Sequence, residues 1–268
     1  MESRFLQAQA GPAAPHEVRG AQRSAGRLWH RGAKVGGALT LALALCAVLL
    51  ALAVCTGGAA AAEVPAPVPP LGFVPPPPGS YRLERIMRAP DGIVLESDGS
   101  VRRLSEFTTG KVTLFSFIYT YCTDAKGCPL AYATLHSLKR TVEGTPALRG
   151  KVRFVSMSFD PEYDTPVAMR SYGGAEARDR RGLDWHFLTT RGGRELAPLL
   201  DGFGQDVSVA AMKPPGRRAP VLSHMLKVYL LDASGTVREI YSTSFLHPAV
   251  LLNDIRTLLA EPAGKRAH

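Results

Sequence analysis

Cysteine is scarce in this chain. There are four in 268 residues, too few to staple a protein of this length, so a disulfide-built scaffold is excluded. A basic stripe with aromatic side chains set into it is also missing, although the formal net charge is +9. In residues 1–62, Arg4, Arg19, Arg23, Arg27, Arg31 and Lys34 stand against Glu2 and Glu17, which puts +4 of that charge in the N-terminal tail and leaves +5 dispersed over the rest. That dispersal argues against nucleic-acid recognition and leaves a general attraction for acidic protein faces or anionic lipid head groups. No internal repeat is present. What remains, 46% hydrophobic and 21% charged, is the composition of a globular domain with appendages.

Charge is absent altogether from Val35 to Val54 (VGGALTLALALCAVLLALAV). Those 20 residues suffice for a helix across a hydrocarbon core of about 30 Å. Basic residues precede the run and the next charge after it is Glu63, so the positive-inside rule keeps the N-terminus cytoplasmic and exports everything after Cys55. The expectation is a single-pass anchor in the inner membrane with the C-terminal domain on the periplasmic or extracytoplasmic side. A cleaved signal peptide ending at Ala60-Ala61-Ala62 is the alternative, and a lipoprotein signal ending at Cys55 a third. The 34-residue leader and the length of the run favour an uncleaved anchor, in which Cys46 and Cys55 are small apolar residues. Residues 64–80 hold eight prolines and read as a stiff polyproline spacer holding the domain off the membrane. The domain plan is a basic tail (1–34), an anchor or signal (35–55), an Ala/Pro-rich linker (56–80), a globular domain (81–262) and a short tail (263–268).

Within the domain, Ile93–Leu95 and Val101–Leu104 flank Ser97-Asp98-Gly99, which predicts an N-terminal β-hairpin. Lys111–Ile118 is a nearly continuous apolar run, the pattern of a buried central strand. Pro129 opens a helix through about Val142. Strands follow at Val152–Phe159, Trp185–Thr189, Met225–Leu231 and Val237–Tyr241, with helices after Asp164-Thr165-Pro166, over Glu195–Leu200, and from His247-Pro248 to about Leu259. The order gives an α/β fold: a thioredoxin-like central sheet flanked by helices.

Sites in open α/β sheets form at the carboxyl ends of strands. Three features fall there: the loop YTYCTDAKGCP after the Lys111–Ile118 strand, Asp160-Pro161 after the next, and Val221-Leu222-Ser223-His224 before the Met225–Leu231 strand. The last reaches this end only if its strand runs antiparallel to the central ones. Two thiolates, Cys122 and Cys128, with the His224 imidazole form a soft donor set that accepts Cu(I) and Zn(II) and tolerates Cu(II). Cys128 sits at a helix start, where orphan N–H groups stabilise a thiolate; Lys126 adds positive charge and Gly127 lets the loop bend back. Taken by itself, the Cys122–Cys128 pair reads equally well as a plain extracytoplasmic disulfide.

At this point the residues resemble the Sco/SenC family of copper chaperones. FIYTYCTDAKGCPL resembles the family's two-cysteine loop at Cys122, Asp124, Cys128 and Pro129; SFDPEYDTP resembles its strand-end motif at Asp160, Pro161, Asp164, Thr165 and Pro166; SHMLKVYLLD resembles its histidine strand at His224; and WHFLTT shares its flavour. The resemblance covers about residues 81–260. It implies a thioredoxin-like fold, one copper ion, Cu(I) or Cu(II), held by Cys122, Cys128 and His224, and a role in maturing the copper centre of a haem–copper respiratory oxidase, by copper delivery or by reduction of the acceptor's cysteines. The departure is the spacing: five residues, Thr123 to Gly127, separate the cysteines where the family has three. A thiol–disulfide oxidoreductase using Cys122 and Cys128 as catalytic residues is the competing function; a peroxidase-like thiol enzyme fits the loop less well.

Other candidates have plainer readings. His136 is expected on a helix surface, His186 in a sheet between Trp185 and Phe187, and His247 near a helix cap. Met225 points away from His224 on its strand. Met157 and Met212 read as core or loop residues. Asp160 reads as an Asp-Pro turn or as part of the site's rim, and Tyr119 and Tyr121 as shields of the loop.

Overall fold

The computed structural model describes residues 70–179, 181–209 and 221–261. The apolar run with Cys46 and Cys55, the first part of the linker, and Met212 lie outside them. No helix among the described residues is long and apolar enough to cross a membrane.

The elements run β1 (Met87–Arg88), β2 (Ile93–Glu96), β3 (Val101–Arg103), α1 (Ser105–Thr108), β4 (Val112–Ile118), α2 (Cys128–Gly144), β5 (Val152–Ser158), α3 (Pro166–Gly173), β6 (Asp184–Thr189), α4 (Gly193–Phe203), β7 (Val207–Val209), β8 (Leu222–His224), β9 (Val228–Leu231), β10 (Thr236–Tyr241) and α5 (Pro248–Ala260). Eight strands form one sheet in the order β1-β10-β9-β4-β5-β6-β2-β3, and β7 and β8 form a separate pair. The centre is parallel, β4 beside β5 and β5 beside β6, while β9 runs antiparallel to β4 with Ser116 opposite Val228. β2 and β3 pair antiparallel across the turn at Ser97–Ser100.

Every residue of β4 is buried, which explains its unbroken apolar character. Helices α2 and α5 pack on each other and on β4, and α3 packs on β6. An aromatic cluster pins α4 to the sheet: Phe115 stacks on Phe203 at 4.7 Å, and the Tyr229 hydroxyl donates to the Phe203 carbonyl at 3.0 Å. Burying one such side chain contributes about 1.5–3 kcal/mol, so this knot alone is a large fraction of a domain's net stability.

The structure adds β1, α1 and β7 to the elements read from the sequence, and it differs from that reading in two places that bear on the site and its tether. The strand expected over Met225–Leu231 begins only at Val228, and His224 belongs instead to β8, paired with β7 through Val207 opposite His224. Between them the chain is held sideways, by Gln205 Nε2 donating to the Met225 carbonyl at 3.1 Å and by Lys227 Nζ donating to Gly204 O. Second, the end of the proline-rich stretch does not stand clear of the domain. It lies along α5: Phe73 meets the Phe245 ring at 6.4 Å, Asn253 Nδ2 donates to the Pro76 carbonyl, Gly79 N donates to Thr257 Oγ1 at 2.9 Å, and the Tyr81 hydroxyl donates to Asp254. A polyproline segment makes few hydrogen bonds of its own, so a polar side chain on a neighbouring helix can claim a free carbonyl, as Asn253 does at Pro76, while Pro77 O accepts locally from Ser80 N at 3.1 Å.

Candidate functional site

β4 ends at Ile118 and releases the chain into the cysteine loop, which returns at Cys128, the first residue of α2. Asp124 organises the turn. Its Oδ1 accepts from Lys126 N at 3.0 Å and its carbonyl from Gly127 N at 2.8 Å. A Cβ at Gly127 would stand 3.3 Å from that carbonyl, so any larger residue there would have to push the turn open by a few tenths of an ångström. The five intervening residues are thus folded into a turn of their own, and the Cys128 and Cys122 side chains end within hydrogen-bonding distance of each other. Both thiols are free.

The two sulfurs share charge unequally. The Cys122 thiol is pushed down to about 5, first by the hydrogen bond from Cys128 and then, against the cost of burial, by the Tyr119 hydroxyl and the backbone N–H groups of Cys128 and Asp124. Cys128, only 1% exposed, is pushed well above the ordinary cysteine range by that same hydrogen bond and by burial. The helix start therefore does favour a thiolate, as the sequence suggested, but on Cys122: the Cys128 N–H reaches across while the Cys128 sulfur keeps its proton.

Asp164 ties this loop to the next strand. It is wholly buried, and its carboxylate accepts from Thr120 N at 3.1 Å, Thr120 Oγ1 at 2.5 Å and Ser158 Oγ at 2.6 Å. Burial raises its pKa despite those hydrogen bonds. Asp160, at the rim, accepts a hydrogen bond from the Tyr121 hydroxyl, and burial raises the Tyr121 pKa above its ordinary value.

His224 approaches from the far side on β8. Its ring packs on Phe159 at 4.6 Å and edge-on to Tyr119 at 5.7 Å. Both ring nitrogens are enclosed, and neither has a hydrogen-bond partner among the described residues. Burial lowers the His224 pKa, opposed by the nearby Cys122 thiolate, so the imidazole is neutral with a lone pair to offer. The antiparallel run of β9 brings this segment to the carboxyl ends of β4 and β5, as the site requires. Among the described residues, however, no three His, Cys, Asp or Glu side chains stand within reach of one metal ion. The structure makes Cys122, Cys128 and His224 neighbours without closing them on a common point.

Tyr119 joins the two halves. Its carbonyl accepts from Cys122 N at 3.2 Å, its hydroxyl lies 3.4 Å from the Leu222 carbonyl of β8, and its ring contacts Tyr121 and Phe159. Sequence reasoning saw Tyr119 only as a shield and gave Ser158 and Thr120 no role; an alternation of hydroxyl residues at the ends of two neighbouring strands is the signal that was available. His136 is a correction. It is not on an open surface but half-buried between Tyr132 (4.2 Å) and Trp185 (4.8 Å), and burial lowers its pKa. His186 is a sheet residue whose Nδ1 lies 2.8 Å from Glu96 Oε1, His247 caps α5 by accepting from Ala249 N, and Met157 is core. Met225 is 65% exposed.

A sequence model of the SCO1/SenC family matches residues 94–260. No curated protein matches the chain. Among solved structures, the fold is similar to yeast Sco1 with copper bound (17% identity, 68% of this chain and 94% of that one, TM-score 0.52). It is similar to Arabidopsis thaliana ScoI with copper bound (17% identity, 64% and 97%, TM-score 0.52) and to a SCO1/SenC family lipoprotein from Bacillus anthracis (23% identity, 65% and 96%, TM-score 0.51). These likenesses establish the thioredoxin-like fold.

Proposed function

The chain belongs to the SCO1/SenC family, and from that premise we propose that it is a membrane-anchored, extracytoplasmic copper carrier. It holds the ion through Cys122, Cys128 and His224 and passes it to the copper centre of a haem–copper respiratory oxidase, or reduces that centre's cysteines beforehand. The carrying observation is the pairing of a free dithiol with an imidazole whose two enclosed nitrogens have no hydrogen-bond partner among the described residues. An enclosed polar group left without a partner costs about 1–3 kcal/mol, and a soft metal ion would recover it. The donors fit copper chemically: two sulfurs, one already a thiolate, and a neutral imidazole. Copper is bound in the yeast and Arabidopsis structures, and the same cargo is proposed for this chain. Loading requires the cysteine loop and β8 to draw together, with Tyr119 between them. The apolar run at Val35–Val54 supplies the anchor, single-pass in the inner membrane.

The test is competition titration of Cu(I) against a chromogenic chelator, with the reduced full chain in detergent. One ion per chain is expected, with His224→Ala lowering affinity at least about 100-fold, the upper end of what losing a mere supporting group costs. Affinity indifferent to His224 sinks the ligand set. A second reading, thiol–disulfide exchange, is favoured by the acidified Cys122 thiol: the thiolate attacks a partner disulfide, expels one partner thiolate, and Cys128 resolves the mixed disulfide. Exchange activity unchanged in His224→Ala would separate that chemistry from copper carriage.

A further inference from the structure

The strap along α5 fixes where the chain leaves the domain. β10 is antiparallel to β9, with Tyr241 opposite Val228, and β9 is antiparallel to β4, with Val228 opposite Ser116. The end of β10 and the start of α5 therefore lie at the carboxyl end of β4, the same end as Cys122. The strap begins there, with Phe73 on Phe245, and runs the length of α5 to Gly79 beside Thr257. Followed backwards from the domain, the chain thus emerges on the cysteine side.

That end is also where apolar surface is exposed. Phe73, Val74 and Phe245, three of the nine exposed large hydrophobic residues among those described, stand together there. Val74 is 91% exposed and Phe245 55%. Such clustering marks a surface that meets something apolar.

We propose that Phe73, Val74 and Phe245 rest on a lipid surface, so that the cysteine site works facing the bilayer. The proposal rests on the anchored reading of Val35–Val54. Cys55 to Pro69 are 15 residues, a reach of about 45 Å at roughly 3.1 Å per residue. A domain of this size is roughly 40 Å across. Freed from α5, the tether would gain the strap's length and any face could meet the membrane. Docked, it leaves from the apolar end and could turn the far end to the bilayer only when stretched taut. The acceptor then has to be a membrane protein whose receiving residues lie close to the lipid head groups.

The experiment places photoreactive benzoylphenylalanine at Phe73, Phe245 or Lys151, the last exposed at the opposite end of the sheet, in the full chain reconstituted into vesicles of phosphatidylethanolamine and phosphatidylglycerol. Flotation is scored first. Lipid adducts several times more abundant at Phe73 and Phe245 than at Lys151 support the proposal. Adducts equal at both ends, or adducts to a second copy of the chain at Phe245, overturn it while leaving the anchor standing. A chain that fails to float with the vesicles defeats the anchor and the orientation together. Asn253→Ala with Thr257→Ala, which removes two strap hydrogen bonds, should level the adduct ratio between the ends.

Discussion

At the amino ends of β4, β5 and β6 Lys111 and Arg153 are engaged with the fold, whereas at the carboxyl ends two thiols are free and an imidazole lacks a hydrogen-bond partner among the described residues. Lys111 pairs with Asp184, and the Arg153 guanidinium donates to the carbonyls of Glu106, Phe107 and Thr109. Arg238, with a side chain 5% exposed, bridges Asp232 at 3.0 Å and Glu261 at 2.7 Å while donating to Leu83 O and Glu84 O. One edge of the sheet spends its polar groups on holding the fold; the other holds donors in reserve. On the carrier reading proposed above, keeping these tasks apart would let the site move while the polar network around Arg238 stays intact.

The sharpest way to break this contrast is Arg238→Ala. It leaves Asp232 buried without its main partner and should cost about 3–5 kcal/mol in urea unfolding, with copper stoichiometry unchanged in the molecules that remain folded. A loss of copper binding out of proportion to unfolding would show that the two ends are coupled. Asp164→Ala comes next, because Asp164 is the wholly buried carboxylate that ties the cysteine loop to β5. It removes three hydrogen bonds and should cost about 2 kcal/mol. Burial raises the folded-state pKa of Asp164 above its unfolded value, so its titration favours the fold below the unfolded pKa, and that contribution is lost as pH rises through the folded pKa. The stability gap between wild type and Asp164→Ala should accordingly be wider at pH 4 than at pH 7. The smallest effect on stability, and the most local, is at Cys122: alkylation of the reduced protein should modify it before Cys128, with a midpoint near about 5. A midpoint near the ordinary cysteine value of about 8.5 would mean that the loop does not acidify this thiol.

The longer strands and helices were legible because buried strands announce themselves as apolar runs and Pro129, Pro166 and Pro248 each mark a helix start, whereas β1, α1 and β7, of two to four residues each, are too short to carry a pattern. The break between β8 and β9 was not legible. SHMLKVYLL alternates smoothly enough to pass for one strand, and only the lateral hydrogen bonds from Gln205 and Lys227 divide it. The site's residues could be named from the sequence but not their division of charge, which depends on which sulfur is sealed in. The strap was misread because proline-rich sequence reports stiffness and says nothing of what it lies against. The clue was on the other partner: Asn253, Asp254 and Thr257 interrupt the apolar pattern of α5 where the strap needs donors and acceptors.

The unequal sulfurs have a consequence for how cargo is exchanged. Near neutral pH the pair retains one hydrogen, on Cys128, so an ion that takes both sulfurs displaces one hydrogen ion rather than two. Grip on the ion then weakens about tenfold for each unit of acidification over that interval. On the carrier reading proposed above, release would then be a swap, one cation for another, favoured by an acidic surrounding.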